Sequence, residues 1–344
     1  MKKQIREETW PINQIFIFSA SGLITLFLLK AASDILVPFL ISVALAIVLS
    51  PLFTYLESKH IPKGVSLFMV ILLSLLPIIL FGGYVIDEAK DFAANYHSIK
   101  ASFLQSIESF TSYLNHFGIS INETKINAIL EKSNLGEILK NLAAQANNQF
   151  SNLFLIFFMV AFMLMESKYF YAKMLKIAND YNVDSHLFIE ILEKIKSYFI
   201  IKVKTSLITA VWVLAVLWFY DIPYFFMWAV LAFFLNFIPV IGSILAAIPA
   251  VALALLNHGL MTTVWVAIWY LIINMVIGNI LEPKIMGKGL GLSALVIFLS
   301  MTFWGWIFGP TGMILSVPLT MIVQYLFDQY KETKWVALLL SDYK

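Results

Sequence analysis

The sequence predicts an all-α, polytopic membrane protein, and three observations carry that prediction. Of the 344 residues, 60% are hydrophobic. Only 13% are Asp, Glu, Lys or Arg, against about 25% in an ordinary soluble domain, too few to cover a soluble surface. The charges are also bunched, and between them lie the uncharged runs 9–29, 35–56, 64–86, 141–165, 205–220, 222–281 and 289–327. About 20 apolar residues suffice for a helix to cross the hydrocarbon core. The runs predict about eight membrane helices, with re-entrant hairpins an open possibility in the two longest runs, both chain ends on the inner side, and a helical extramembrane insert.

Residues 1–86 hold three N-terminal membrane helices. Lys2, Lys3 and Arg6 precede the first. Lys30 and Asp34 follow its apolar stretch where a signal peptide would carry an Ala-x-Ala site, so this is read as a retained span. Residues 87–149 are the insert: Phe92, Tyr96, Ile99, Phe103, Ile107, Phe110, Leu114 and Phe117 recur at helical steps, with Gly118 as a stop. A second, weaker helix starts near Asn122. The insert either packs on itself or a neighbouring subunit, or lies on the membrane surface as a paddle.

Residues 150–171 form a membrane helix and 172–204 a basic linker, in which Ser185 caps a helix and Lys194, Lys196, Lys202 and Lys204 read as topology-setting charge at an anionic leaflet. Residues 205–327 are a C-terminal membrane core, and 328–344 a tail. Seventeen of the 23 Lys and Arg residues then fall on the side of the N-terminus, which places both ends inside.

Several function classes drop out. The chain has no Cys, which removes thiolate metal sites and cysteine catalysis. A net charge of +2 with a single Arg argues against a nucleic-acid partner. No nucleotide-binding, zinc-protease or nucleophile-elbow motif is present, and the five His are scattered at segment ends. No enzyme, cofactor or metal site is expected, and any driving energy must come from a gradient or a partner.

The polar residues inside the apolar core remain. Asn236, Asn274, Asn279 and Glu282 are the costly ones, and Asn274, Gly278 and Glu282 repeat at helical spacing. Glu282 stands next to Pro283 and Lys284. It either pairs locally with Lys284 or meets cargo or a cation. Pro239 and Gly242 interrupt one apolar run, and Gly309, Pro310 and Gly312 another. Such paired breaks are a transporter signature, although each is equally readable as a turn between two complete helices. Trp304 and Trp306 read as an interface anchor. These eleven positions, from Asn236 to Gly312, are the candidate transport path.

The stretch Asn279-Ile280-Leu281-Glu282-Pro283-Lys284-Ile285-Met286-Gly287-Lys288-Gly289-Leu290-Gly291-Leu292-Ser293 resembles the signature of the autoinducer-2 exporter family of bacterial membrane proteins. So do Phe237 to Gly242, Gly305 to Pro318, and Leu36-Val37-Pro38-Phe39 with Pro51. Lys288-Gly289 departs from the Lys-Ser of many relatives. The resemblance implies a multi-span transporter of the bacterial inner membrane with both ends inside. It implies export of a small polar molecule, autoinducer-2 in some members, or Na⁺(Li⁺)/H⁺ exchange in others. A related permease group has no assigned cargo. A ring-like homo-oligomer is implied as well, a pentamer first. A non-transporting scaffold working through the insert is the remaining alternative.

Overall fold

The computed structural model describes residues 12–115, 150–180, 185–239, 241–286 and 291–342. The second insert helix expected near Asn122, the Gly118 stop and the Lys288-Gly289 departure lie outside the described residues. Every described element is helical apart from one isolated bridge, Leu292 with Ser341. Helices close their backbone hydrogen bonds within the segment, as lipid requires.

Helix α1 is Ile12–Ala31 and α2 is Ser33–Ser58. Helix α3, Lys63–Asn115, has 53 residues, about 80 Å at 1.5 Å per residue. It runs without interruption from the third span into the insert, because the change at Asp87 is one of polarity and not of helix propensity. Helix α4, Phe150–Asp180, and helix α5, Ser185–Phe219, likewise continue from the membrane segments into the basic linker. Then come α6, Phe225–Leu235; α7, Gly242–Asn274; a π-helical turn, Met275–Leu281; α8, Glu282–Met286; α9, Ala294–Asp328; and α10, Lys334–Leu340.

Two of these helices fold back at a glycine. Gly259 in α7 has φ 75 and ψ −176, and Gly309 in α9 has φ 64 and ψ −149, a backbone region open essentially to glycine alone. In α9 the Trp304 indole N–H donates to Thr320 Oγ1 at 3.0 Å. In an unbroken helix those residues would be about 24 Å apart, so the arms 294–308 and 310–328 are antiparallel. Lys30 Nζ lies 4.1 Å from the Trp306 ring centre, which places the Gly309 turn level with the α1–α2 turn.

The second hairpin consists of α6 and the arm 242–258. His258 Nε2 lies 3.0 Å from the Asp221 carbonyl oxygen, so the hairpin returns to the side it left. Asp221 shares that side with the Asp87 end of α3, because Met227 N donates to Glu88 Oε2 at 2.9 Å. Lys63 Nζ donates to the Met165 carbonyl at 2.6 Å on the other side. These are called the Asp221 face and the Lys63 face below.

Among the described residues, five helices are long and apolar enough to cross a membrane, counting each folded-back helix once. Counted by direction, α1, α2, α3, α4, α5, the arm 260–286 and the two α9 arms run between the faces, in line with about eight crossings. The hairpin of α6 and 242–258 does not.

The packing follows from small and β-branched side chains at the contacts. Ser42 lets α2 meet α4: its hydroxyl is shared between the Pro38 carbonyl at 2.7 Å and the Ile156 carbonyl at 3.2 Å. Phe53, Val70, Val160 and Leu164 fill the space beside it. A larger cluster joins the last turns of α5 to α6, α7 and α3 through Val213, Leu217, Trp228, Ala250, Ala254, Val266 and Phe92. Large apolar side chains such as Leu73, Ile79, Phe154, Trp212 and Leu271 are exposed, as lipid-facing surface should be.

Candidate functional site

The site is built on α5. Tyr198, Lys202, Thr205, Ser206 and Thr209 are all buried, and their three- and four-residue steps make one buried polar stripe along the helix. Thr205 donates to the Lys202 carbonyl and Thr209 to the Thr205 carbonyl, so these hydroxyls satisfy themselves locally. Toward the Asp221 face the same side of α5 turns apolar, with Val213, Val216 and Leu217.

The re-entrant hairpin presents its tip to this stripe. Helix α6 has 11 residues, about 16 Å of reach. The chain then turns through residues 236–241, where Ile238 N donates to the Leu235 carbonyl at 2.8 Å and Ile241 N to the Pro239 carbonyl at 2.7 Å. A Cβ on Gly242 would collide with the Leu235 carbonyl; glycine is what allows α7 to start against the end of α6. Asn236 Nδ2 donates to Ser206 Oγ at 3.0 Å. Ser206 lies about 20 Å along α5 from its end at Phe219, so the tip sits well inside a core of about 30 Å.

One helical turn beyond Ser206, about 6 Å deeper, Lys202 meets Glu282. Its Nζ donates to Oε1 at 2.8 Å and to Oε2 at 3.1 Å. The side chains are 8% and 16% exposed. Of the two readings of Glu282, a local pair with Lys284 or a site for cargo or a cation, the structure shows instead a distant lysine as its partner, and the reading of Lys202 as leaflet charge is overturned. The partner comes from 80 positions earlier in the chain. Desolvating two charges is unfavourable unless each compensates the other, which is why Lys202 turns inward while Lys194, Lys196 and Lys204 stay exposed. Tyr198, 2% exposed, is one turn before Lys202, and its hydroxyl has no hydrogen-bond partner among the described residues.

Glu282 follows the π-helical turn Met275–Leu281. A π turn takes up an extra residue, so a four-residue repeat no longer holds one face across it. Asn274 and Gly278 remain neighbours, with a Cβ on Gly278 reaching 3.4 Å from Asn274 Oδ1. Asn279 and Pro283 are exposed. Gly309, Pro310 and Gly312 lie elsewhere: their turn joins Trp304, Ile307 and Phe308 against Leu26, Leu36 and Val37 of α1 and α2. The structure therefore brings Asn236 and Glu282 onto α5, places Pro239 and Gly242 in the turn that carries Asn236, and assigns the second glycine break to a helix turn near the Asp221 face. Tyr198, Thr205, Ser206 and Thr209 were not singled out from the sequence, and Lys202 was named there only as leaflet charge. Their signal is the helical spacing of polar residues from 198 to 209.

Comparison with known proteins gives the family. Residues 15–332 match the family model described as AI-2E family transporter. The chain is 33% identical to the AI-2 transport protein TqsA of Escherichia coli over 333 residues, 96% of this chain and 97% of that protein. It is 35% identical over 329 residues to a candidate transport protein of Haemophilus influenzae, with 94% of each chain covered. A second Escherichia coli candidate transport protein, YhhT, is 30% identical over 322 residues, 94% of this chain and 92% of that one. The multi-pass architecture and these matches over nearly the whole length agree: this chain belongs to the AI-2E transporter family.

Proposed function

We propose that the chain exports a small polar molecule across the bacterial inner membrane, by a secondary or facilitated mechanism, along the α5 stripe. Autoinducer-2 is the first cargo to test, since the Escherichia coli relative carries it in its name. The observation behind this reading is the Lys202–Glu282 pair below the Asn236–Ser206 contact. Together these groups offer an ammonium, a carboxylate, an amide and several hydroxyls in an apolar wall, and so can replace the water shell of a polar, uncharged solute. With the N-terminus inside, the pair lies toward the inner leaflet and closes the path where cargo enters.

Everted vesicles loaded through this protein should accumulate autoinducer-2, and Glu282→Gln and Lys202→Met should each reduce the initial rate by at least about ten-fold, the effect of losing one charge-assisted contact in the transport step. Unchanged rates in both variants would remove the pair from the path. Accumulation equal to that of empty vesicles would remove the cargo.

A second reading, Na⁺(Li⁺)/H⁺ antiport, rests on one specific feature: Glu282 is a partly buried carboxylate neutralised by a lysine. Once Lys202 withdraws, a proton or a monovalent cation must replace it. Dequenching of a pH dye on Na⁺ addition tests this, and a full response in Glu282→Gln would refute it. We also propose a ring-like homo-oligomer, a pentamer first. Native mass spectrometry from nanodiscs would return five copies per particle, and a monomer would contradict the ring.

A further inference from the structure

Helix α6 carries the hairpin tip, yet its own sequence does not cap it. Its N-cap residue Tyr224 has φ 60 and makes no side-chain cap hydrogen bond. The missing acceptor comes from α3, where Glu88 Oε2 receives the Met227 N–H, in the first turn of α6, at 2.9 Å. A carboxylate at a helix N-terminus both satisfies a free N–H and complements the helix dipole. Three residues on, Asp91 Oδ2 accepts from the Tyr224 hydroxyl at 2.7 Å. One residue further, Phe92 is 5% exposed. Its ring meets Tyr224 edge-on at 5.5 Å and Trp228 at 5.4 Å. Tyr96 and Ile99, another turn along α3, pack on the same cluster. Phe81 and Tyr84 flank Phe226 at 5.4 and 5.5 Å.

These contacts straddle the point where α3 leaves the apolar run 64–86. We infer that the emerging part of α3 is the seat of the re-entrant hairpin, and that Glu88 and Asp91 are positioning residues that set the depth and angle of the tip facing Ser206. The inference rests on the assignment of that tip to the transport path. It gives the insert a role: the 53-residue helix that opens it seats an element that enters the bundle without crossing it.

The chain has no Cys, so a single introduced thiol reports without background. Ile238→Cys places it at the tip, 8% exposed, and Ser42→Cys places it between α2 and α4, 0% exposed. With full-length protein in proteoliposomes, maleimide labelling at position 238 should rise about five-fold in a Glu88→Ala background, the change expected for loss of a helix cap. Glu88→Gln, whose amide oxygen still accepts from Met227 N, should restore most of the slow rate. The thiol at position 42 should stay unreactive throughout. An unchanged rate at position 238 in Glu88→Ala would overturn the inference. Should position 42 also open, Glu88→Ala has lost the fold, and Asp91→Ala, which removes the acceptor of the Tyr224 hydroxyl, decides by the same two thiols. Labelling reads the hairpin whatever the cargo, so failure here is separate from failure of autoinducer-2 transport.

Discussion

Removing one member of the Lys202–Glu282 pair strands the other at 8% or 16% exposure, and an uncompensated buried charge costs about 3–5 kcal/mol. Lys202→Met alone and Glu282→Leu alone should therefore each lower the thermal midpoint in detergent. The double variant should recover much of that loss, since an apolar pair of similar volume fits the same wall. It should still not transport. A double variant less stable than both single ones would mean that the pair is held by contacts other than its mutual charge. Glu282 was legible in the sequence because it ends the longest charge-free run. Lys202 was not: it stands among Lys194, Lys196 and Lys204, and helical phase alone separates one inward lysine from its outward neighbours. The clue was the company it keeps on the same face, Tyr198 behind it and Ser206 and Thr209 ahead.

Among the helices, glycine decides where the chain reverses. Gly309 and Gly259 adopt φ 64 and φ 75, and a Cβ there costs on the order of 1–3 kcal/mol even though neither has a neighbour within 4 Å of the added atom. Gly83, also with open space around it, sits inside regular helix α3. Gly309→Ala should accordingly reduce thermal stability, while Gly83→Ala should be neutral or stabilising by up to about 1 kcal/mol. Equal effects would show that the α9 turn is not backbone-limited. The breaks at Pro239–Gly242 and Gly309-Pro310 were readable because glycine and proline interrupt otherwise uniform apolar runs. The continuity of α3 past Asp87 was not, because the onset of charge marks where a helix leaves lipid and says nothing about whether it ends. The π turn before Glu282 was equally hidden. Met275, Val276 and Ile277 read as ordinary helix, and only the pull of Glu282 toward Lys202, with Pro283 withholding an N–H, distinguishes the segment.

At the scale of the molecule, composition fixed the class and the charge-free runs fixed most crossings, but not which of two similar glycine-broken segments turns back before it reaches the opposite face. Both carry a proline beside the break and both are uniformly apolar. The difference lies in tertiary contacts: His258 meets Asp221, whereas Trp306 meets Lys30 across the bundle from the Ser293 end of α9. Thiol accessibility in the Cys-free chain separates the two cases. Tyr220→Cys and Leu260→Cys flank the hairpin of α6 and 242–258 and should both react with an impermeant maleimide from one face. Ser58→Cys and Asp342→Cys should react from the other. Trp306→Cys, 49% exposed in the native residue, should side with Tyr220, because the α9 arms reach the level of the α1–α2 turn. If Tyr220 and Leu260 label from opposite faces, α6 and its return arm cross as one segment, and the tip at Asn236 is no longer a re-entrant element facing Ser206. If Trp306 labels with Ser58, the α9 pair is the re-entrant one, and the Lys30 contact is not formed in the membrane.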